Sequence, residues 1–327
     1  DWVLLYGDTN STLAGAVVAS KLLFRTAHIE AGLRSKRRGM PEEINRVLTD
    51  QISDLLFTTE ASAEDNLRRE GVAAAKVHFV GNVMIDTLLR HRERAERSRA
   101  LADLGLSAGE YALVTLHRPS NVDDPETFAR LLDALRQVAR TLPVVWPVHP
   151  RTRAGIERRA LGARLARDTG LHLVEPLGYV DMLALLSRAR LVLTDSGGLQ
   201  EEAAALALPC VTLRENTERP ITITLGTNVL VGRDLGRLRA ETRAILAGGT
   251  RRGQVPPLWD GRASERIAAH PSSSSAFRTA VSRERMSARA PSGSRSAAAR
   301  RESQASSSST VSQRSAGTVS GGAPSEV

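Results

Sequence analysis

Residues 191–207 read LVLTDSGGLQEEAAALA, and this stretch decides the fold. The apolar run 191–193 reads as a buried strand, and the alanine-rich run 199–207 reads as a helix. A turn of small residues between them ends at a helix N-terminus, which makes an anion site. Ser196 offers a hydroxyl, Gly197 and Gly198 allow close backbone approach, and the free N–H groups with the helix dipole favour phosphate. Glu202 follows about one helical turn later, within reach of ribose hydroxyls. The plainer alternative is that Asp195 or Ser196 is only an N-cap and the glycines only shape a tight turn.

The same alternation runs along the chain. Strands are expected at 3–6, 26–29, 55–58 and 77–80, with helices at 11–24, 41–51 and 62–70. A long polar helix at 85–103 leads to a second series, with strands at 111–116, 144–148, 171–174, 191–193 and 210–213. Helices at 127–141, 151–167, 180–188 and 199–207 lie between them. Strand–helix alternation specifies parallel α/β sheets, here two of them facing across a cleft.

Composition narrows the class. A length of 327 residues and 41% hydrophobic content suit two domains with sizeable cores. No apolar run approaches a membrane span, and no signal pattern opens the chain. Cys210 is the single cysteine, so no internal disulfide forms, and a cytoplasmic protein is expected. The net charge of +9 invites a nucleic-acid reading, but more than half of it falls after residue 270. The remainder is spread over amphipathic helices without interleaved aromatics, so neither nucleic acid nor membrane is expected as a partner.

Asp8, Glu30, His117, His149 and Ser196 each fall at or just past the end of an expected strand. In open α/β sheets that edge is where ligands bind. The first lobe supplies carboxylates there: Asp8, Glu30, and the pair Glu42 and Glu43 behind Pro41. Carboxylates converging on a cleft can divide acid and base roles, although Glu42 and Glu43 equally suit a helix N-terminus. The second lobe supplies phosphate chemistry. His117 and Arg118 can meet a diphosphate with a hydrogen bond and a charge, and Arg219 is a further cation unless it is a surface loop charge. His149 reads mainly as a loop residue. There is no GxGxxG after the first strand, no P-loop, no metal spacing and no nucleophile elbow. The residues therefore point to nucleotide-sugar chemistry without metal or redox cofactor.

The motifs GDTNST (7–12), HIEAGLRS (28–35), PEEINR (41–46), GNVMIDTL (81–88), LHRPSNV (116–122), LTDSGGLQEE (193–202) and ENTERP (215–220) resemble, in this order, the non-hydrolysing UDP-N-acetylglucosamine 2-epimerases. The resemblance runs to about residue 269. It implies two Rossmann-like domains in the GT-B arrangement, a homodimer, and interconversion of UDP-N-acetylglucosamine with UDP-N-acetylmannosamine through 2-acetamidoglucal. By motif, it implies Asp8, Glu30 and Glu42 as acid–base groups and His117 as helper of the leaving diphosphate. It implies Ser196, Gly197 and Gly198 at the phosphates, Glu202 at the ribose, Arg219 at the diphosphate and Tyr179 near the uracil.

Against the family pattern, the first domain (1–88) is expected to be incomplete, lacking its opening βα units. Residues 89–269 form the expected UDP-binding domain, and 270–327 a disordered Ser/Arg-rich tail. A glycosyltransferase of the same architecture, or an inactive UDP-binding fragment, are the competing readings.

Overall fold

The computed structural model describes residues 2–165, 170–249 and 253–270. The expected tail, apart from His270, lies outside the described residues.

Parallel pairing organises both halves of the chain. In the first lobe β1 (Trp2–Tyr6), β2 (Arg25–Ala31), β3 (Leu55–Thr58) and β4 (Val77–Phe79) pair in sequence order. They are linked by α1 (Asn10–Lys21), α2 (Pro41–Ile52) and α3 (Ala61–Arg69). Then α4 (Val83–Glu96) and the short α5 (Ala100–Asp103) lead to the second lobe. There β5 (Ala112–Thr115), β6 (Val144–Pro147), β7 (Leu171–Val174), β8 (Leu191–Thr194), β9 (Cys210–Thr212) and β10 (Asn228–Leu230) form a parallel sheet in the order β10-β9-β8-β5-β6-β7. Its helices are α6 (Pro119–Val122), α7 (Pro125–Ala139), α8 (Pro150–Arg158), α9 (Gly162–Leu165), α10 (Tyr179–Arg188), α11 (Gly197–Ala205), α12 (Ile221–Thr224) and α13 (Leu235–Leu246), with α14 (Ala263–Ala268) last.

The strand order positions the site. From β5 the chain moves outward to β6 and β7, then returns to place β8 on the other flank of β5. That reversal opens a crevice at the C-terminal ends of β5 and β8, the usual ligand position in such sheets. Thr115 and Thr194 face each other at those ends, their hydroxyls 2.7 Å apart.

The second sheet is buried on both faces. Ala112 and Val114 join one core cluster with Phe128, Leu135 and Trp146, whereas Leu113 joins the opposite one with Tyr111, Leu185 and Cys210. Alternation along a strand sends neighbouring side chains to opposite faces. The first sheet is less covered: Leu4 and Tyr6 on β1, Val18 on α1 and Leu22 at its C-cap are substantially exposed.

The segment after α13 returns to the first lobe. Trp259 donates its indole N–H to Thr59 O at 3.0 Å, and Ile267 packs with Ala27, Phe57 and Val80. The carboxylate of Asp86 on α4 caps α14, accepting from the N–H groups of Ala263 and Ser264. Gly81 is required here, because a Cβ on it would lie 2.1 Å from Leu258 O and its φ is +87°.

Two helix expectations are corrected. The helix expected over 85–103 breaks after Glu96, where the Ser98 hydroxyl donates to Asp181 and accepts from Ala100 N. A serine so engaged competes with the backbone and starts a new turn. The helix expected over 151–167 ends at Arg158, and Ala160 takes a left-handed φ of 50°.

Candidate active site

The turn after β8 differs from a plain N-cap. Ser196 occupies the N-cap position of α11, yet its side chain makes no capping bond. Asp195 turns instead toward the loop after β5. Its carboxylate accepts from the backbone N–H groups of His117 and Arg118, from Asn121 Nδ2 at 3.0 Å and from His117 Nδ1 at 2.9 Å. Burial alone would raise the Asp195 carboxyl, but the hydrogen bond and charge of His117, with the Asn121 and backbone donors, hold it below the usual range. His117 thus donates from Nδ1 to Asp195, which leaves Nε2 for a ligand. Among the described residues, Arg118 has a buried Nε with no partner, a donor suited to an anion.

His149 is an N-cap: its Nδ1 accepts from Arg151 N at 3.2 Å. Desolvation, His117 and Arg151 together lower its basicity.

The ring of Tyr179 and the carboxylate of Glu202 share a 3.0 Å hydrogen bond, the phenol donating. Burial pushes Glu202 up to about 6, against the effect of that bond. Both residues line an apolar cavity of about 510 Å³, with Leu4, Tyr6 and Ile29 of the first lobe and Val83, Met84 and Thr87 of α4. Such a space suits a flat ring with one polar edge.

Arg219 is not a surface charge. It is 7% exposed, donates from Nη2 to Glu30 Oε1 and from Nη1 to Glu218 Oε1, each at 2.6 Å, and places Nε 2.8 Å from Glu201 Oε2. Its guanidinium also lies against the N-terminus of α11, since a Cβ on Gly197 would meet Nη1 at 2.7 Å. The carboxylates around it divide the charge. Burial would raise Glu218, but Arg219, Arg214 and Arg46 hold it far below the usual range. Burial and the neighbouring Glu30 and Glu60 push Glu201 up to about 8, with Arg219 opposing.

In the first lobe, Asp8 sits past β1 and is gripped by Arg46, with Nη2 at 2.6 Å and Nε at 3.0 Å. Arg46 Nη2 is also 3.8 Å from Glu218 Oε1, so an ionic chain runs from Asp8 through Arg46, Glu218 and Arg219 to Glu30. Glu30 has a left-handed φ of 72° at an irregularity in the β2–β3 register. A non-glycine residue in that conformation carries strain that the surrounding structure must hold.

The two glutamates of PEEINR separate cleanly. Glu43 is buried and accepts from Ser35 N, Ser35 Oγ, Lys36 N and Arg46 Nη1, so it shapes the loop before α2. Glu42 is half-buried and, among the described residues, makes no hydrogen bond or ion pair that would engage it. The structure therefore joins Glu30, Arg219 and Gly197 directly and Asp8 through the ionic chain, while Glu42 and His117 make no direct contact with that chain.

Sequence reasoning missed Arg46, Glu201, Glu218 and the true partner of Asp195. Arg46 and Glu218 stood within quoted motifs, but only long-range pairing gives them a role. Among the described residues no group of His, Cys, Asp and Glu is arranged to hold a metal ion.

Known proteins align with this geometry. The sequence profile of the family described as UDP-N-acetylglucosamine 2-epimerase matches residues 1–270. The UDP-N-acetylglucosamine 2-epimerase of Methanocaldococcus jannaschii is 42% identical over 272 residues, covering 82% of this chain and 74% of that protein. The UDP-2,3-diacetamido-2,3-dideoxy-D-glucuronate 2-epimerase of Pseudomonas aeruginosa is 48% identical over 269 residues, covering 81% and 73%. The crystal structure of the M. jannaschii enzyme in complex with UDP-GlcNAc and UDP superposes with a TM-score of 0.76 over 82% of this chain and 74% of that one. A profile that spans all of the described fold, with relatives at this identity, settles the lineage: the chain belongs to the UDP-N-acetylglucosamine 2-epimerase family.

Proposed function

We propose that this chain interconverts UDP-N-acetylglucosamine and UDP-N-acetylmannosamine by inverting C2. One observation carries the reading. Arg219 touches both the Gly197 end of α11 and the Glu30 carboxylate, so a diphosphate subsite and a sugar-facing acid–base group are joined across the cleft. Residues 1–88 then supply the sugar chemistry, and residues 89–269 hold the UDP.

A carboxylate takes the C2 proton while the C1–O bond breaks. The C2–H electron pair becomes the C1=C2 double bond, and the C1–O pair leaves on the β-phosphate of UDP, giving 2-acetamidoglucal. UDP then adds back to C1, and a proton reaches C2 on the opposite face. Two faces need more than one proton-carrying group, a role shared among Asp8, Glu30 and Glu42. The departing diphosphate gathers charge, which the Ser196 hydroxyl, the Gly197 and Gly198 N–H groups, Arg118, Arg219 and His117 Nε2 stabilise. Glu202 takes the ribose hydroxyls, and Tyr179 borders the uracil. The sequence neither gains nor loses electrons, so it calls for no redox cofactor.

The P. aeruginosa relative supports a second substrate of the same kind, since its named sugar also carries a C2 acetamido group. Both sugars belong in one assay. Accumulation of UDP with 2-acetamidoglucal on long incubation supports the elimination route, whereas transfer of the sugar to an acceptor contradicts it.

Two substitutions test the assignments. Ser196→Ala with Glu202→Ala removes a hydroxyl and a carboxylate without removing a helix cap. UDP affinity by calorimetry is expected to fall at least about tenfold; unchanged affinity refutes the subsite. Asp195→Asn is expected to lower kcat on the order of 100-fold, because His117 loses the anionic acceptor that fixes its tautomer and orientation. An unchanged kcat in a folded variant removes His117 from the mechanism.

A homodimer is supported by an apolar stripe on α2, where Ile44, Leu48 and Ile52 are exposed at four-residue spacing beside α1, which exposes Val18 and, at its C-cap, Leu22. Sedimentation is expected to give twice the chain mass; a monomer at micromolar concentration contradicts it. The cytoplasmic assignment rests on the single cysteine, which is buried and unpaired. No described helix is long and apolar enough to cross a membrane.

A further inference from the structure

His28 belongs to no subsite described above, yet it is entirely buried on β2, two residues before Glu30. Its Nδ1 lies 2.6 Å from Asp50 Oδ1 of α2, and its Nε2 lies 2.8 Å from the carbonyl oxygen of Gly7. Both partners accept only, so each ring nitrogen must carry a hydrogen, and the ring is an imidazolium.

Asp50 is itself held in place. Asp50 Oδ2 also accepts from Gly32 N at 3.1 Å and Arg34 Nη2 at 2.7 Å, and Arg34 continues to Glu70 at 2.6 Å. The groups facing His28 are thus Asp50 from α2, the Gly7 carbonyl from the turn after β1 and Glu30 from its own strand, with Arg34 and Glu70 behind Asp50. Burial disfavours the charged ring, but the Asp50 hydrogen bond and charge outweigh it and raise its basicity.

The carbonyl that His28 grips belongs to the peptide bond leading into Asp8. Gly7 has a left-handed φ of 70°, and its missing Cβ would stand 3.6 Å from Glu30 Oε2. Asn45 holds the next carbonyl, that of Asp8, at 2.9 Å. The ring therefore fastens the end of β1 to the end of β2, where a left-handed glycine leads into Asp8 and the strained backbone of Glu30 presents its carboxylate.

We propose that His28 is a positioning residue, a permanently charged imidazolium that holds the Asp8 and Glu30 carboxylates at their working separation. This rests on the acid–base reading of those two residues. A misplacement of about 1 Å at a reacting group costs on the order of 100-fold in rate, and a bond into the Gly7–Asp8 peptide controls displacements of that size.

Nitrogen NMR of the full chain with 15N-labelled histidine reads the charge whether or not the protein turns over. Both His28 nitrogens are expected to stay protonated from about pH 5.5 to about pH 8, across the ordinary imidazole range. One bare nitrogen at neutral pH overturns the proposal. His28→Asn is expected to lower kcat on the order of 100-fold, with KM and UDP affinity unchanged. If the wild type epimerises and a folded His28→Asn keeps its kcat, the inference fails and the acid–base reading stands. If Asp8→Asn keeps full activity, that reading fails whatever the NMR shows. A variant that does not fold leaves the NMR result to decide.

Discussion

Arg219→Ala is expected to destabilise the folded chain by about 3–5 kcal/mol. The side chain is buried; it neutralises Glu30 and Glu218 and places Nε 2.8 Å from Glu201. Removing it leaves carboxylates without their shared cation in a buried site. Glu218 keeps Arg214 and Arg46 nearby, and Glu201 keeps the Asn82 amide, but Glu30 loses its ion pair across the cleft. Urea denaturation reads the loss as a lower midpoint with an unchanged slope. Arg219→Lys recovers only part of it, because one ammonium cannot reproduce a planar fork serving three carboxylates. If the alanine variant is as stable as the wild type, Arg219 is a ligand contact only, and the ionic chain has no structural weight.

Asp8→Asn is expected to lower the epimerisation rate by about 10²–10⁴ while leaving UDP affinity nearly intact. The substitution keeps the shape of the side chain and removes the proton-accepting carboxylate. Arg46, which holds Asp8, keeps Glu43 at 2.9 Å, so the loop before α2 stays in place. The proposed UDP contacts lie on the other lobe, at α11 and the loop after β5. Initial rates by proton NMR and UDP binding by calorimetry separate the two effects. Equal loss of both contradicts the assignment of Asp8 to sugar chemistry.

Sheet and crevice were legible in the sequence because buried parallel strands read as short apolar runs, and the candidate ligand residues follow directly at their C-terminal ends. The run 191–193 and the residues behind it fall where expected, at the reversal of strand order between β5 and β8. Less legible were short elements carrying little periodicity, such as β10 with three residues and α12 with four. Breaks set by one polar side chain, as at Ser98, also escape a reading of apolar spacing. The ionic chain could not be read at all: Glu30 and Arg219 are 189 residues apart, and each taken alone suits a loop or a cap. Asp195 shows the same limit. Its type suits an N-cap, and only the fold reveals that it turns away to hold His117.

Incubating the chain with UDP-N-acetylglucosamine in deuterated water, followed by proton NMR, tests the central claim most directly. The expected result is the manno epimer with deuterium at C2 and little free UDP, since the C2 proton leaves to a carboxylate and returns from solvent on the other face. UDP-N-acetylglucosamine that binds but neither epimerises nor exchanges its C2 proton would contradict the account.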